Sequence, residues 1–402
     1  MQADAEILIR SIVKTVPEWY VARTGPVRHE IRSKAGSFSF YSMVPHRTGH
    51  QQIVDYAERK VDDWLAAMPS PPTRSFLASV RERLALEWLS FHEPAVAWNR
   101  LFSYLDMLSY RVHENRPVTR NLVIRPGQHG SIPIDEPGVQ SVLDPLAGRP
   151  QTYFLLDHEG RYVDYDEAAY CAHEDAQGYS LYPEFLQPLK AQLGQGDYLM
   201  HLTATRDLIV LGHEGMLAAR RRGGWYIYDV VGLRQDVSTS LGDRRLDANL
   251  FGVLLDLSYR RHGALLVYDP EWHVLDWIIN ADEAVIGGRE PRGDQGHRML
   301  AQAVKNIDMT DTGLTRRKHR LLLEIASLDG AVLFDDEGIL AFGAMIRAHP
   351  NVGGYTGART TAMHSAYLWG GRPIKVSTDG EITIPFRSQG PTDSCEAELT
   401  FL

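Results

Sequence analysis

Three stretches of this chain follow one plan: an apolar run of strand length, a turn containing Glu-Gly, and a second apolar run. They are YFLLDHEGRYVDY (153–165), LIVLGHEGMLAARR (208–221) and AVLFDDEGILAFGA (331–344), with LLVYDPEWHVLDW (265–277) as a looser copy. Glycine supplies the positive φ of a tight turn, so each is predicted to be a β-hairpin. Between and after them the apolar spacing changes to that of a helix. Leu246, Leu250, Val253, Leu254 and Leu257 share one face over about 245–261, with further helices expected over 297–307, 314–328 and 358–369 and a strand pair at 373–386. Hairpins and helices in this mixture call for a central sheet with helices packed on it, an α/β or α+β fold. Independent hairpins of similar shape explain the likeness more simply than a true repeat.

The first part of the chain reads differently. Ile7, Leu8, Ile12 and Val13 make a short apolar-periodic stretch, and SKAGSFSF reads as a loop. Ile53, Tyr56, Ala57, Val61, Trp64 and Leu65 keep one helical face. PSPPT (69–73) breaks that helix, Thr73 or Ser75 can cap the next, and Phe76, Val80, Leu84 and Trp88 form its stripe. A third helix is expected over 95–113. Residues 1–116 therefore form a mainly helical region, the Pro/Gly-rich 117–150 a linker-like crossover, and 151–244 a β-rich middle region; 245–388 form the next domain and 389–402 a tail.

Composition narrows the function classes. With 402 residues, 44% hydrophobic and 23% charged, the chain has ample material for two or three packed domains. A net charge of −9 argues against sequence-independent duplex binding, which needs a broad basic field. Two cysteines, Cys171 and Cys395, build neither a disulfide framework nor a Cys-rich zinc site. A signal peptide and a membrane-spanning run are not expected, so the chain reads as soluble and cytoplasmic. The His-Glu-Gly turns do not extend to HExxH, because Leu217 and Tyr162 stand where the second histidine belongs. The 16 histidines are scattered and read as surface or satisfied core residues. Arg220-Arg-Arg222 reads as a solvated hairpin tip, and Arg316, Arg317, Lys318 and Arg320 as the wet face of a helix.

Three segments could carry chemistry. In Ser258-Tyr-Arg-Arg-His-Gly-Ala-Leu-Leu-Val267 a helix gives way to a strand, with Gly263 as the C-cap and Arg260, Arg261 and His262 in the last turn. At Leu328-Asp329-Gly330-Ala331 a helix meets a buried strand, and the small neighbours leave the Asp329 carboxylate room to reach a metal or a hydroxyl; a plain turn is the alternative. In Asn351-Val-Gly-Gly-Tyr-Thr-Gly-Ala-Arg-Thr-Thr-Ala-Met363 a glycine-rich loop opens a helix, an arrangement that offers backbone N–H groups to an anion. There Arg359 can fork two phosphate oxygens, and Thr360 and Thr361 add hydroxyls or a cap. The segment lacks the Gly-Lys-Ser/Thr of a P-loop, and the glycine-rich 286–296 reads as a surface insertion.

Taken together, Arg261-His-Gly-Ala-Leu-Leu-Val, Asp329-Gly-Ala-Val-Leu-Phe, Gly357-Ala-Arg-Thr-Thr-Ala-Met and Val376-Ser-Thr-Asp-Gly resemble, in order, the conserved pieces of the diadenylate cyclase domain. The resemblance covers about Leu246–Ile384. It implies a mixed sheet flanked by helices over 245–388, preceded by the hairpin-rich and helical regions. By analogy with that family, Asp329 is the catalytic and metal-binding acid. Gly330, Ala331, Gly357, Arg359, Thr360, Thr361 and Ser377 would line the nucleotide, and Asp379 would be a second metal ligand. Mg2+ or Mn2+ is implied where the site is active.

The departures from the family pattern matter as much. Thr360 and Thr361 stand where the family has the His and Arg of its Arg-His-Arg triplet, and Thr378-Asp379 replaces an acidic pair. Threonine hydroxyls do not reproduce a bidentate guanidinium, and losing one such electrostatic group typically costs ~10²–10³ in rate. The chain is thus similar to divergent branches proposed to be nucleotide sensors, some linked to bacterial signalling and anti-phage defence. Three readings follow, in order of preference: a sensor of ATP or a cyclic dinucleotide, weakly active or inactive as a cyclase; an active nucleotidyl cyclase; and a scaffold that uses the fold without a ligand. A homo-oligomer and a protein partner on the N-terminal helical region are compatible with each. No membrane or specific nucleic-acid partner is expected.

Overall fold

The computed structural model describes residues 2–21, 27–42, 48–138, 150–168, 181–242, 247–281, 283–286, 316–355, 357–388 and 395–401, with 143, 299, 302–304 and 307. Most of the predicted helix over 297–307, and the insertion from 287 onward, lie outside these residues. The chain divides into two compact units, one comprising 1–21, 27–172 and 185–230, the other 22–26, 173–184 and 231–402. Both combine helices with a mixed sheet, an α/β architecture.

In the first unit, α1 (Gln2–Val13) is followed by a hairpin of β1 (Val27–Ser33) and β2 (Gly36–Ser42). SKAGSFSF is therefore a turn and a strand rather than a loop: Phe38 and Phe40 alternate with serines, the period-2 signature of a half-buried strand. Helices α2 (Thr48–Ala67), α3 (Arg74–His92) and α4 (Trp98–Ser109) follow, as their apolar stripes require. Thr73 caps α3, its hydroxyl accepting the Phe76 N–H at 3.3 Å. Next come β3 (Val112–His113), β4 (Arg116–Pro117), β5 (Arg120–Ile124), β6 (Ile132–Pro133), β7 (Thr152–Leu156), β8 (Arg161–Glu167), α5 (Gln187–Lys190), β9 (Tyr198–Leu202), β10 (Leu208–Leu211), β11 (Met216–Arg221) and β12 (Gly224–Ile227). The stretch read as a linker thus holds β5, a wholly buried strand in the middle of the eight-stranded sheet. The basic tip is also not fully solvated: Arg221 is buried beside Asp207, and Arg220 pairs with Asp106.

The second unit runs α6 (Val230–Leu241), α7 (Asp247–Arg260), β13 (Ala264–Tyr268), β14 (Val285–Ile286), α8 (Arg316–Ala326), β15 (Ala331–Phe334), β16 (Ile339–Ala344), α9 (Ala358–Leu368), β17 (Arg372–Val376), β18 (Ile382–Ser388) and β19 (Cys395–Phe401). Its sheet has the order β14-β16-β15-β13-β17-β18-β19. β13 pairs in parallel with β15 and is buried throughout, as a strand covered on both faces must be. The looser hairpin copy does not form: β13 leads into a turn held by Asp269, whose carboxylate accepts the N–H groups of His273, Val274 and Leu275, and then a short 3₁₀ turn.

Written from β6, the first sheet reads β6-β8-β7-β5-β9-β10-β11-β12, the same order and chain sequence as the second plus one edge strand. The parallel pair recurs (β5 with β7, β13 with β15), as does the hairpin whose Asp-x-Glu-Gly turn is closed by a bond from Asp157 N to Arg161 O, or from Asp335 N to Gly338 O. The helix before each central strand carries a matching sequence, Leu101-Phe102…Leu105…Leu108-Ser-Tyr-Arg111 against Leu250-Phe251…Leu254…Leu257-Ser-Tyr-Arg260. The chain carries one topology twice, and the likeness of the 153–165 and 331–344 hairpins is a true repeat, whereas the 208–221 hairpin, β10 and β11, falls where the second sheet has β18 and β19.

Candidate functional site

The resembling segments lie at the ends of β15, β13 and β17, the three central strands of the second sheet, and at the start of α9. Helix α7 ends with Arg261, which takes the left-handed conformation (φ 57°); Gly263 does not, so Arg261 and not the glycine makes the C-terminal turn. What Gly263 provides is space. A Cβ there would lie 2.3 Å from Arg359 Nη1 and 3.0 Å from Thr378 Cγ2, so the guanidinium from α9 rests directly on the backbone that opens β13. Continuing the β13–β17 register one step places Gly263 beside Ser377, and Asp329 lies two residues before β15, the strand that runs parallel to β13 on its other side.

Asp329 is exposed, and its Oδ1 accepts the Gly330 N–H at 3.1 Å. Gly330 is obligatory, with φ 101° and Gly343's carbonyl carbon 2.5 Å from where a Cβ would sit. Ala331 is buried in the core under α9. Gly357 (φ 106°) precedes the helix, and the Thr361 hydroxyl donates back at 3.3 Å to the Gly357 carbonyl that also accepts the Thr361 N–H. Tyr355 anchors the loop by stacking on His364 of α9, with ring centroids 3.9 Å apart. Ser377-Thr-Asp-Gly380 is the tight turn from β17 to β18: Ser377 Oγ accepts the Asp379 N–H, and the Ser258 hydroxyl of α7 donates to the Gly380 carbonyl. Asp379 is exposed at the tip of that turn, two strands from Asp329.

The structure also brings in a cation that the sequence reading missed. Lys375 Nζ lies 3.4 Å from Thr360 Oγ1, beside Arg359 at the start of α9. Its signal was present in the strand period: Lys375 and Ser377 alternate with the buried Ile374 and Val376, and so lie on one face of β17. Arg359, Lys375 and the N-terminus of an eleven-residue helix form a locally positive corner on an acidic chain. Leu328, the residue before Asp329, is exposed, as are Met345, which follows β16, and Ile279, whose N–H donates to the Met345 carbonyl. One exposed carboxylate is a fitting anchor for Mg2+ or Mn2+, which hold several waters and substrate phosphates rather than an all-protein cage.

No protein family and no curated protein matches this sequence. Among solved structures, a hypothetical membrane-spanning protein from Bacillus cereus is similar at 19% identity, over 38% of this chain and 63% of that one, with a TM-score of 0.24. A double cysteine mutant of DacA from Staphylococcus aureus is similar at 18% identity, over 42% of this chain and 87% of that one, with a TM-score of 0.22. The likeness is distant in both cases. Among the described residues, no helix is long and apolar enough to cross a membrane.

Proposed function

We propose that the second unit binds a nucleotide, ATP or a cyclic dinucleotide, and that the chain acts as a nucleotide sensor. The observation that carries this reading is the placement of Arg359 on Gly263, next to Lys375 and one strand from Asp329. Arg359 and the first turn of α9 would hold phosphate oxygens. Lys375 would supply part of the charge that Thr360 and Thr361 do not. A divalent cation on Asp329 would neutralise further phosphate charge, and the apolar Leu328, Met345 and Ile279 offer a surface for the base. Cyclase activity would be weak or absent, because a lysine on a flexible stem does not reproduce a bidentate fork. Signalling through the N-terminal helices, self-association and a role in bacterial defence belong to the same reading.

The test is a melting-temperature panel of ATP, GTP and cyclic dinucleotides with Mg2+, repeated on Arg359→Ala. A rise on the order of 5 °C at saturating ligand, absent in the variant, supports the reading. No shift with any nucleotide points to the scaffold alternative. Conversion of ATP to a cyclic product with Mn2+, detected by mass spectrometry and lost in Asp329→Asn, would make the protein an active cyclase instead.

A further inference from the structure

A second cluster in the same unit is built for a different ligand. Asp256 on α7, His319 on α8 and Glu184 each offer a ligand atom, and these atoms lie within 4.8 Å of one another. Asp256 is only 2% exposed, and its two oxygens are directed inward: Oδ2 lies 2.6 Å from His319 Nε2, and Oδ1 accepts the Glu184 N–H at 2.7 Å. The His319 and Glu184 side chains are 13% and 16% exposed, so the donors are mostly screened from water while one side stays open to it.

We propose that Glu184, Asp256 and His319 form a binding site for a zinc-class divalent cation. One imidazole and two carboxylates are a donor set that such ions take with three protein ligands and one open position. Two carboxylates held this close in a largely buried place favour a dication between them. The cations now facing them are poor substitutes. Arg260 Nη2 stands 3.8 Å and Arg320 Nε 3.4 Å from Glu184, and both are exposed side chains that can turn to solvent; Arg260 is also 4.0 Å from Glu324. For the metal to take Nε2, the single N–H of the neutral imidazole would sit on Nδ1, so that uptake exchanges the His319–Asp256 hydrogen bond for two metal–ligand bonds. Because the ligands come from α7, α8 and the short 3₁₀ turn that opens at Glu184, a bound ion would add a link between three pieces of chain that already meet through ion pairs and hydrogen bonds. Sequence spacing could not have shown the site, since no two of its members share a helix.

The test titrates Zn2+ alone into the full chain, stripped with chelator and carrying Asp329→Asn so that the acid before β15 contributes nothing. The expected result is about one equivalent bound, a rise in melting temperature, and visible absorption bands when Co2+ replaces Zn2+. In His319→Gln, whose amide can still donate to Asp256, the metal-free melting temperature should stay near the parent's while Zn2+ affinity falls at least tenfold. Glu184→Gln should show the same loss. Zn2+ binding as tight in both variants as in the parent, or no binding in the parent, overturns the proposal.

Discussion

Where the second sheet has Asp329 the first has Gln151, and where the second has Lys375 the first has His201, by the shared registers of the parallel and antiparallel pairs. The two positions are used in opposite ways. His201 is locked into its own sheet: its Nδ1 donates to Asn121 Oδ1 at 2.6 Å, while the Asn121 amide donates to the carbonyls of Pro150 and Thr152. Lys375 donates instead to the Thr360 hydroxyl in the first turn of α9. The turns differ likewise. After β9, Asp207 N bonds Thr203 Oγ1 and the Asp207 carboxylate faces buried Arg221, whereas after β17 Thr378 and Asp379 are exposed. Even the buried Arg120, whose Nη1 donates to the Leu143 carbonyl and whose guanidinium lies over Phe154, stands where the second sheet has Ala264. One copy buries its turn charge in an ion pair; in the other, Asp329, Thr378 and Asp379 are exposed at the matching strand ends. On a repeated scaffold, the place where the two copies differ is where a property particular to one copy is to be tested.

The largest expected effect separates the two copies by backbone alone. Gly330→Val should destabilise the protein by about 3 kcal/mol or more in chemical denaturation, because the atoms in its way belong to the Gly343–Ala344 backbone and cannot swing aside. Thr152 occupies the same position in the first copy with a full side chain. An equally mild effect at both positions would mean that the close approach of β15 and β16 is not a distinguishing feature.

Acid should discriminate next. Burial pushes His201 down to about 4 from an ordinary 6.5, so the unfolded chain binds the extra proton first. Its contribution to stability is present at neutral pH and is lost as pH falls from about 6.5 through about 4, up to ~3 kcal/mol in all. In the second unit, burial raises the Asp269 carboxyl despite the backbone donors around it. That group binds its proton earlier in the folded state, so its contribution improves as pH falls through the raised value. Hydrogen exchange between pH 7 and 4 should therefore loosen β5 and β9 before β13 and β17, and His201→Gln should reduce the difference.

Gly263→Ala makes a subtler break. The added methyl meets the far end of Arg359, which can move, so the fold should lose less than about 1 kcal/mol while nucleotide affinity falls about tenfold in titration calorimetry. The smallest effect is a null: Gln151→Asp should give the first copy no nucleotide response, because a lone carboxylate without the facing cations is not a site. A new response there would show that the acid alone is the determinant.

Much of the fold was legible because it is periodic. The stripes of α2, α3 and α7 and the Asp-x-Glu-Gly hairpins rest on local spacing, and local spacing is what a sequence displays. Strand β5 escaped because it is five residues long, lies in Pro/Gly-rich surroundings, and begins with Arg120, a charge that reads as exposed but is 1% accessible. The repeat escaped because β3 and β4 are inserted between helix and strand in the first copy only, which shifts the matching segments out of step. At the candidate site, Arg359 and Asp329 were visible as motif residues, but Lys375 was not, since its role depends on which helix covers its face of β17. The Glu184–Asp256–His319 cluster depends wholly on tertiary packing, and the sequence reading had set its histidine aside.

The central claim is that the exposed ends of the central strands of the second sheet are where this chain meets a phosphorylated ligand. Titration calorimetry of ATP and of cyclic di-AMP, with Mg2+, into the parent and into Lys375→Ala, Arg359→Ala and their combination tests it most directly. Saturable binding of one nucleotide that weakens in each single variant and disappears in the double is the predicted result. Equal binding in all four proteins, or none in the parent, would contradict it.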